Sequence, residues 1–367
     1  MKVLSRFVDP SGLRAEFPVL ERVVYLNAGT DGPLPARAVR AATEELQREA
    51  ADGRTMAHFE RRSELESALR VAYAAMLGCD SADVALTTST SEGLAQTIGG
   101  LELGDGEEIL TSDEEHPGLL GALAATRDLR GVAIREVPLP SIADAVGPRT
   151  RLIACSHVGW ASGLLAPAEL AALDVPVVLD GAQGVGAVPV DVHALGCAAY
   201  AGAGQKWLCG PDGTGMLYVS PSLRERLTVP RRGFRNLGDA DAGLDAGLKE
   251  DGRRFDAMSL SAEAGACALA AHEVLAEAGW SEVHARARAL AARLAGLLAE
   301  HGREPAPRGD STLVSFQSPD PPAERERLAD LGIAVRHIPQ RPWLRASVGA
   351  WNDEDDLDRL LDALATL

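Results

Sequence analysis

The sequence predicts an α/β protein whose mostly parallel sheet is covered by helices, with a smaller α+β domain towards its C-terminal end. Between residues 83 and 220, short runs that are apolar throughout alternate with helix-length segments. This pattern is typical of strands that helices bury on both faces. A Gly-, Asp- and Arg-rich stretch at residues 231–256 lacks apolar periodicity, as expected of a connector or a mobile loop. The 367 residues suffice for one large domain and a smaller one.

The first region contains a series of strand-like runs. In chain order they are DVALTTS, EEILTS, VAIREV, RLIACSHV, PVVLD and GMLYVS. Helices are expected over SEGLAQTIGGL, PGLLGALAATRDL and AELAAL, which lie between some of these runs. Ligands of such sheets bind beyond the carboxyl ends of the strands. Polar residues that directly follow a run are therefore the first candidates for a site.

The C-terminal region mixes helices with strands. Its Ala- and Leu-rich stretches have the Leu and Val spacing of packed helices. In order we expect helices at 259–278 and 281–302, the strand STLVSFQS, a helix at 322–331, the strands GIAVRHI and WLRASVG, and an acidic helix, DEDDLDRLLDAL. The division predicted from this pattern is a large domain over residues 20–235 and a small domain formed by residues 1–19 and 236–367.

Composition and charge limit the classes of partner. The chain is 46% hydrophobic and carries a net charge of -17, so nucleic acid and anionic membranes are poor partners. No segment has about 18 uninterrupted apolar residues, and the N-terminal segment lacks an apolar signal region. A cytoplasmic location is expected. The five cysteines lack paired metal-type spacing, so we predict no metal site.

The segments VVLDGAQGVG and AGAGQKWLCGPDGTG combine a carboxylate with a lysine. Asp180 ends a buried strand, where a carboxylate is costly without a partner. Lys206 lies in a Gly-rich turn. Pyridoxal 5'-phosphate requires such a pair, because a lysine forms its Schiff base and a carboxylate keeps its ring nitrogen protonated. Alone, Asp180 is nearly as well explained as a helix cap, and a surface lysine is the usual alternative for Lys206.

The scarcity of lysine favours the chemical interpretation of Lys206. The chain contains three lysines, at positions 2, 206 and 249, whereas its other basic residues are arginines. Arginine cannot form a Schiff base. A chain that otherwise uses arginine has therefore kept a lysine in the Gly-rich turn.

Three further segments contain candidates for binding. TTSTSEGLAQ places Thr90 and Ser91 at the start of a helix, where free N–H groups and the helix dipole attract anions; a Ser/Thr N-cap explains the same residues. His116 follows the run EEILTS and could stack on a flat ligand or carry a proton, although a structural histidine is the alternative. Arg345 could clamp a substrate carboxylate or pair with the acidic last helix.

Taken together, these segments resemble the class V aminotransferase family of fold-type I pyridoxal-phosphate enzymes, from about residue 17 to the C-terminus. The resemblance implies that the large domain binds the cofactor and that Lys206, His116 and Asp180 are catalytic. The implied roles are phosphate binding by Thr90 and Ser91, stacking on the pyridine ring by His116, contact with the ring nitrogen by Asp180 and with the phenolic oxygen by Gln183, and the Schiff base by Lys206.

Further implications concern the substrate and a second subunit. YLNAGTDGPLP looks like the family's opening strand and glycine-rich turn, which makes Asn27 a substrate-binding candidate. Arg345 matches the arginine that binds the substrate carboxylate. RRFDAMS resembles the segment that reaches the partner's phosphate, which implies that role for Ser259 and a homodimer with active sites at the interface.

Departures from the family pattern narrow the reaction. The segment RHIPQRPWLRAS lacks the persulfide-forming cysteine of cysteine desulfurases. Ala203 and Gln205 stand where the family often has Ser-x-His, which leaves Gln205 as the side-chain phosphate ligand. Trp160 in HVGWASG replaces the usual asparagine and is a substrate-binding candidate. Trp160 and the segment GQKWLCGPDGTG are most similar to the isopenicillin N epimerase-like branch of the family.

We therefore expect an enzyme that acts on a small amino acid or amino-acid derivative through an external aldimine and an α-carbanion. Epimerisation, carbon–sulfur lysis and transamination all diverge from that carbanion. Two alternatives stay open: desulfurase-like activity without the loop cysteine, and a non-catalytic protein that binds the cofactor in a regulatory or scaffold role.

Overall fold

A seven-stranded sheet forms the centre of the protein in the computed structural model, which describes residues 10–366. The strand order is β2-β8-β7-β6-β5-β3-β4, and all neighbours are parallel except β8, which runs antiparallel to both of its neighbours. The predicted α/β class with a mostly parallel sheet is thus confirmed. The strands are β1 Val24–Tyr25, β2 Val84–Thr87, β3 Glu108–Ser112, β4 Ala133–Val137, β5 Thr150–Ser156, β6 Val177–Asp180, β7 Ala199–Ala203, β8 Gly215–Val219, β9 Leu313–Gln317, β10 Ile333–Ala334, β11 Arg336–Ile338 and β12 Trp343–Ser347.

Helices surround this sheet and complete a second, smaller lobe. They are α1 Pro10–Ala15, α2 Ala36–Asp52, α3 Met56–Leu77, α4 Thr90–Gly100, α5 Pro117–Arg130, α6 Pro221–Arg224, α7 Ala262–Ala278, α8 Trp280–Glu300, α9 Pro321–Asp330 and α10 Glu354–Ala365. Along residues 10–366, every helix is too short or too polar to cross a lipid bilayer.

The central strands are apolar throughout because both faces of the sheet are covered. Side chains alternate along each strand. In β6, Val177 and Leu179 pack into one core cluster while Val178 packs into the cluster on the opposite face. A carboxylate at the end of such a strand emerges at the edge of the sheet, next to the turns that connect strands to helices.

The smaller lobe is built on the antiparallel sheet β11-β12-β9. Its core is formed with α8 and α10 and also includes Val24 and Leu26 from the N-terminal segment, because β1 pairs in parallel with β10. The α+β character predicted for this region is therefore present. β1, within the predicted 20–235, pairs with β10, and α7, within the predicted 236–367, packs with Ala38 of α2. The division into two domains stays a prediction.

Some local predictions differ from the structure. AELAAL forms a 3-10 helix, not an α-helix, and GIAVRHI divides into β10 and β11 in two different sheets. The small-residue strand β7, which leads into the segment AGAGQKWLCGPDGTG, has too few large apolar residues to be visible as a strand-like run.

The connector at 231–256 is attached to the large lobe at its end. Asp256 accepts hydrogen bonds from both terminal nitrogens of Arg70, each at 2.9 Å, and from the Leu86 N–H at 2.9 Å. Both partners in this ion pair are buried. The pair fixes the start of the segment that carries Ser259.

Candidate active site

A cavity of about 220 Å³ lies at the carboxyl ends of β5, β6 and β7. Several of the predicted site residues line it together. The lining residues are Gly29, Thr30, Ser89, Thr90, Ser91, His116, Trp160, Asp180, Ala182, Ala203, Gln205, Lys206 and Arg336. Of the other candidates, Asn27, Gln183, Ser259 and Arg345 are outside this lining. The topology thus gathers residues from distant parts of the chain at the edge where parallel sheets bind ligands.

Asp180 presents a buried carboxyl to this cavity. It is 4% exposed, and its Oδ1 accepts a hydrogen bond from the Ala182 N–H at 2.9 Å. Burial raises the pKa of Asp180, while the Ala182 N–H and the nearby Lys206 ammonium oppose the rise. A cationic N–H partner in the cavity would therefore stabilise the ionised carboxylate. The hydrogen bond to Ala182 is the cap-type contact considered from the sequence, and it occupies one oxygen.

Lys206 is held in a turn that the N-terminal segment covers. The Gly32 N–H donates to the Gln205 carbonyl at 2.7 Å, and a Cβ on Gly32 would lie 2.0 Å from the Lys206 carbonyl oxygen. Only glycine fits this approach. Burial lowers the pKa of Lys206 to about 8, with Asp180 opposing the shift and Arg345 adding to it. A lysine with this pKa is partly neutral near pH 7–8, as a nucleophile or a base requires.

The turn between β2 and α4 shows both features considered from the sequence. Ser89 is the N-cap, and its hydroxyl accepts from the Glu92 N–H at 3.1 Å. Thr90 and Ser91 line the cavity, and the Thr90 Oγ1 is buried without a hydrogen-bond partner among residues 10–366. The Gln205 Oε1 across the cavity is also unpaired in the described chain.

His116 and Trp160 form an aromatic wall. Their ring centroids are 5.2 Å apart and their planes are inclined at 81°. The Nδ1 of His116 accepts from the Gly118 N–H at 3.0 Å, as the N-cap of α5, so the neutral ring carries its proton on Nε2. Burial, followed by the positive charge of Lys206, lowers the pKa of His116 to about 4. The histidine is thus neutral at physiological pH and has a helix-capping role as well.

Arg345 is fully buried beside the cavity. It lies on β12 with 0% exposure, and its NH1 donates to the Trp160 carbonyl at 2.6 Å. Its Nε and NH2 have no hydrogen-bond partner within residues 10–366. The acidic last helix pairs instead with Arg14, through Asp353 and Asp356. The structural alternative of a salt bridge between Arg345 and that helix is therefore wrong for the described chain.

Arg336 is a cavity residue that the sequence reasoning missed. It faces Arg345 in the β11–β12 register, and its guanidinium carbon lies 6.0 Å from the Trp160 ring centroid. No carboxylate of residues 10–366 forms an ion pair with it. The signal available was an arginine in the strand-like run GIAVRHI, where an apolar residue would be ordinary.

Gln183 and Asn27 occupy positions next to the cavity. The Gln183 Nε2 donates to the Gly29 carbonyl at 2.7 Å, and its Oε1 accepts from the Trp207 Nε1 at 3.0 Å. Asn27 Oδ1 accepts from the Thr30 hydroxyl at 2.8 Å. The Gln183 amide thus holds the glycine-rich turn against the lysine loop, whereas the Asn27 amide bonds within that turn. Their predicted contacts with cofactor or substrate stay predictions.

Ser259 lies away from this cavity on the surface. It is exposed and borders a separate cavity of about 290 Å³ together with Glu49, Arg54 and His58. The predicted role of Ser259 requires a second subunit, so a position outside its own subunit's cavity is compatible with that role but does not test it.

The donor set of the cavity suits pyridoxal phosphate. The buried Asp180 carboxyl at one end has room for a cationic N–H partner, and Lys206 supplies the amine. The unpaired Thr90 hydroxyl and Gln205 amide suit a phosphate, provided that the amide presents its nitrogen; oxygen and nitrogen of an amide exchange places by a half-turn. Asp180, Lys206, Thr90 and Gln205 thus present the kinds of group that would bind the ring nitrogen, the aldehyde and the phosphate of this cofactor.

Comparisons with known proteins agree with this reading of the cavity. Residues 23–360 match the family model described as aminotransferase class-V. Isopenicillin N epimerase of Streptomyces clavuligerus is 30% identical over 94% of this chain and 95% of its own length. A probable cysteine desulfurase of Pseudomonas aeruginosa is 32% identical over 97% of both chains.

A solved structure extends the similarity to three dimensions. The C-DES structure with glycine covalently linked to its pyridoxal-phosphate cofactor superimposes with a TM-score of 0.90 at 28% identity, covering 96% of this chain and 98% of that one. In another structure, C-DES is described as a cystine C–S lyase in complex with its product, cysteine persulfide. With its fold and its cavity on the same plan, and with the family match spanning nearly all of its length, the chain belongs to the class V aminotransferase family.

Proposed function

We propose that this protein is a pyridoxal-phosphate-dependent enzyme that removes the α proton of a small amino acid or amino-acid derivative. The observation that carries the proposal is that Lys206 and Asp180 line one cavity. Beside it lies the fully buried Arg345, which bonds the Trp160 carbonyl of the lining and has no carboxylate partner within residues 10–366. Family membership and the pyridoxal phosphate in the C-DES structure support the same cofactor.

One set of residues would bind the cofactor, and Lys206 would move the substrate's proton. Asp180 would hold the ring nitrogen, His116 the face of the ring, and Thr90, Ser91 and Gln205 the phosphate. When bound, the cofactor supplies an electron sink for negative charge at the substrate's α carbon. The Lys206 Nζ, whose pKa is lowered to about 8, accepts the α proton as a general base.

The guanidinium of Arg345 would bind the substrate's carboxylate. Its Nε and NH2 are the unpaired donors, and a carboxylate accepts from two such donors in parallel. Arg336, on the adjacent strand, places a second positive charge at the same end of the cavity. Neither arginine has a carboxylate partner in the part of the chain that the structure describes, which favours a substrate whose anionic group or groups point towards β11 and β12.

The cysteines of the protein narrow the choice of reaction that follows proton removal. Among the described residues, no cysteine lines the cavity, and the loop before β12 presents Gln340 and Arg341. Burial raises the pKa of Cys209, the cysteine in the lysine loop, which keeps it a thiol. We therefore favour epimerisation or carbon–sulfur lysis over a desulfurase reaction that passes sulfur to a protein cysteine.

Cofactor titration and proton exchange test this proposal together. The cofactor-free protein is titrated with pyridoxal 5'-phosphate, and the visible absorption band of the bound cofactor is expected to form in the wild type and be absent in Lys206→Ala. Exchange of the α proton in D₂O is then followed by NMR across a panel of amino acids. Exchange with at least one amino acid supports an enzyme. A band without exchange for any member would leave a cofactor-binding protein without turnover, which contradicts the proposal.

We also propose a cytoplasmic homodimer in which Ser259 contributes to the partner's phosphate site. The exposed position of Ser259 outside its own cavity supports this assignment. Light scattering is expected to give twice the chain's 38.5 kDa. Mixing Ser259→Ala with Lys206→Ala subunits should restore one intact site per mixed dimer, and a failure to complement contradicts the shared site.

A further inference from the structure

Two consecutive buried glutamates precede His116 without an evident reason in the fold. Glu114 is 5% exposed and Glu115 is 6% exposed, and neither forms an ion pair within residues 10–366. Burying a carboxyl without a cationic partner is costly. Burial raises the pKa of both groups, and that of Glu115 to about 7. A loop that merely joins β3 to α5 would not need either group.

Glu114 holds the turn that carries Trp160. Its Oε2 accepts from the Ser162 N–H at 2.8 Å, while its carbonyl oxygen accepts from the Trp160 N–H at 3.0 Å. A Cβ on Gly159 would lie 2.8 Å from the same Oε2, so the turn is packed directly on the carboxyl. Both sides of Trp160 are thereby attached to one residue.

Glu115 holds the loop against the strand beside Asp180. Its Oε1 accepts from the Ser156 N–H at 3.0 Å and from the Ser112 hydroxyl, and its Oε2 accepts from the Ser156 hydroxyl at 2.7 Å. Ser156 is the register partner of Asp180 in the β5–β6 ladder. The residue immediately before His116 is thus joined to the strand end that adjoins the Asp180 carboxyl.

The two glutamates therefore act on the two halves of one aromatic wall. The His116 and Trp160 rings meet at 5.2 Å and 81°, and the Trp160 carbonyl receives the NH1 of Arg345 at 2.6 Å. We propose that Glu114 and Glu115 are positioning residues. Glu114 places Trp160, and the Trp160 carbonyl in turn places the Arg345 guanidinium. Glu115 places His116 relative to Asp180. The proposal deepens the proposed function and rests on it.

Because the two glutamates position different residues, removing each carboxyl should change a different measured parameter. Removing the Glu114 carboxyl should disturb the substrate end, so the KM for the amino acid rises about tenfold while the cofactor Kd stays within about threefold of wild type. Removing the Glu115 carboxyl should disturb the cofactor end, so the cofactor Kd rises about tenfold. A merely structural pair would lower stability without separating these parameters.

Conservative variants provide the rescue. The amide oxygen of Glu114→Gln still accepts from the Ser162 N–H, and Glu115→Gln accepts from the Ser156 N–H while donating to a serine hydroxyl. Both glutamine variants should stay within about threefold of wild type, whereas Glu114→Ala and Glu115→Ala show the tenfold effects. Glu136→Gln is the matched control, because Glu136 is an exposed glutamate on the neighbouring strand β4. Equal effects of both alanine variants on both parameters, or no rescue by glutamine, would overturn the assignment.

A readout on the cofactor-free protein separates this proposal from the proposed function. The near-ultraviolet circular dichroism of Trp160 is obtained as the difference between wild type and Trp160→Phe. Glu114→Ala should abolish this difference signal while thermal melting still shows a folded protein, and Glu114→Gln should keep it. If Glu114→Ala leaves the signal intact, the positioning role is wrong even if the protein turns over amino acids. If the signal behaves as expected but the wild type exchanges no α proton, only the proposed function fails.

Discussion

Replacing Arg345 with methionine should make the cofactor-free protein more stable and its catalysis much weaker. Arg345 has 0% exposure and one hydrogen bond, to the Trp160 carbonyl, and no carboxylate partner in the described chain. Methionine is an unbranched, uncharged residue that can occupy the space of the arginine's aliphatic stem. The substitution thus separates what the guanidinium costs the fold from what it contributes to binding.

The expected stability change follows from the burial of the charge. The pKa of Arg345 is lowered from 12.5 to about 9, first by burial and then by Arg336. A lowering of this size corresponds to roughly 5 kcal/mol. Methionine leaves the Trp160 carbonyl without its donor, at a cost of about 1–3 kcal/mol. The free energy of unfolding should therefore rise by about 2–4 kcal/mol.

The expected catalytic change has the opposite sign. Loss of a buried, charge-paired contact with a substrate carboxylate costs about 2–5 kcal/mol, which lowers kcat/KM by about 30-fold or more. Urea unfolding of the cofactor-free protein and steady-state kinetics measure the two effects. Arg345→Lys, which keeps the charge but not the planar fork, should lose activity without gaining stability. Arg293→Ala, at an exposed ion pair with Glu354, should change neither. An Arg345→Met variant that is destabilised and keeps its KM would refute the reasoning, because Arg345 would then be a structural residue.

Three further predictions follow from other buried groups. Burial lowers the pKa of Lys206 to about 8. The rate at which the cofactor-free protein reacts with pyridoxal should therefore rise with pH up to about pH 8–9 and then level off. A rate profile with its midpoint at about 10.4, the pKa of a free lysine, contradicts this prediction. Asp256→Asn leaves the buried Arg70 without its charged partner. The free energy of unfolding, measured by urea titration, should fall by about 3–5 kcal/mol. A fall of less than about 1 kcal/mol would show that the ion pair is effectively solvated. Burial lowers the pKa of His157 and His284 from 6.5 to about 4, so the unfolded chain takes up protons first as the pH falls. Stability should therefore decline between about pH 6.5 and 4, and the decline should be shallower in His284→Leu; an unchanged slope would exclude His284 as a contributor.

The large lobe could be predicted from the sequence because its signals are local. The run VVLD, for example, is apolar up to a terminal carboxylate, so both the strand and the exceptional position of Asp180 are visible in four residues. Lys206 was visible for a different reason, the rarity of lysine in this chain. The antiparallel direction of β8 was not visible, since strand direction depends on the path of the connection and not on composition.

The site residues that were missed act through long-range contacts. Arg336 reaches the cavity because β11 lies beside β12, a pairing that no local pattern encodes. Glu114 and Glu115 resemble an ordinary acidic turn in the sequence, and only the folded chain shows that their carboxyls are buried against Ser162 and Ser156. The bonds of the Gln183 amide to Gly29 and Trp207 are also long-range contacts that the sequence does not reveal, and its predicted contact with the cofactor stays a prediction.

The pairing of β1 with β10 has a consequence for how the protein is made. Val24 pairs with Ile333 and Tyr25 with Ala334, so β1 is completed by a strand that follows it by about 300 residues. Synthesis proceeds from the N-terminus, and domains generally fold as they emerge from the ribosome. The large sheet can assemble first, but the glycine-rich turn that covers Lys206 gains this anchor only after residues 333–334 have been synthesised. The nascent chain therefore lacks a closed active site until about 300 residues beyond β1 have been added.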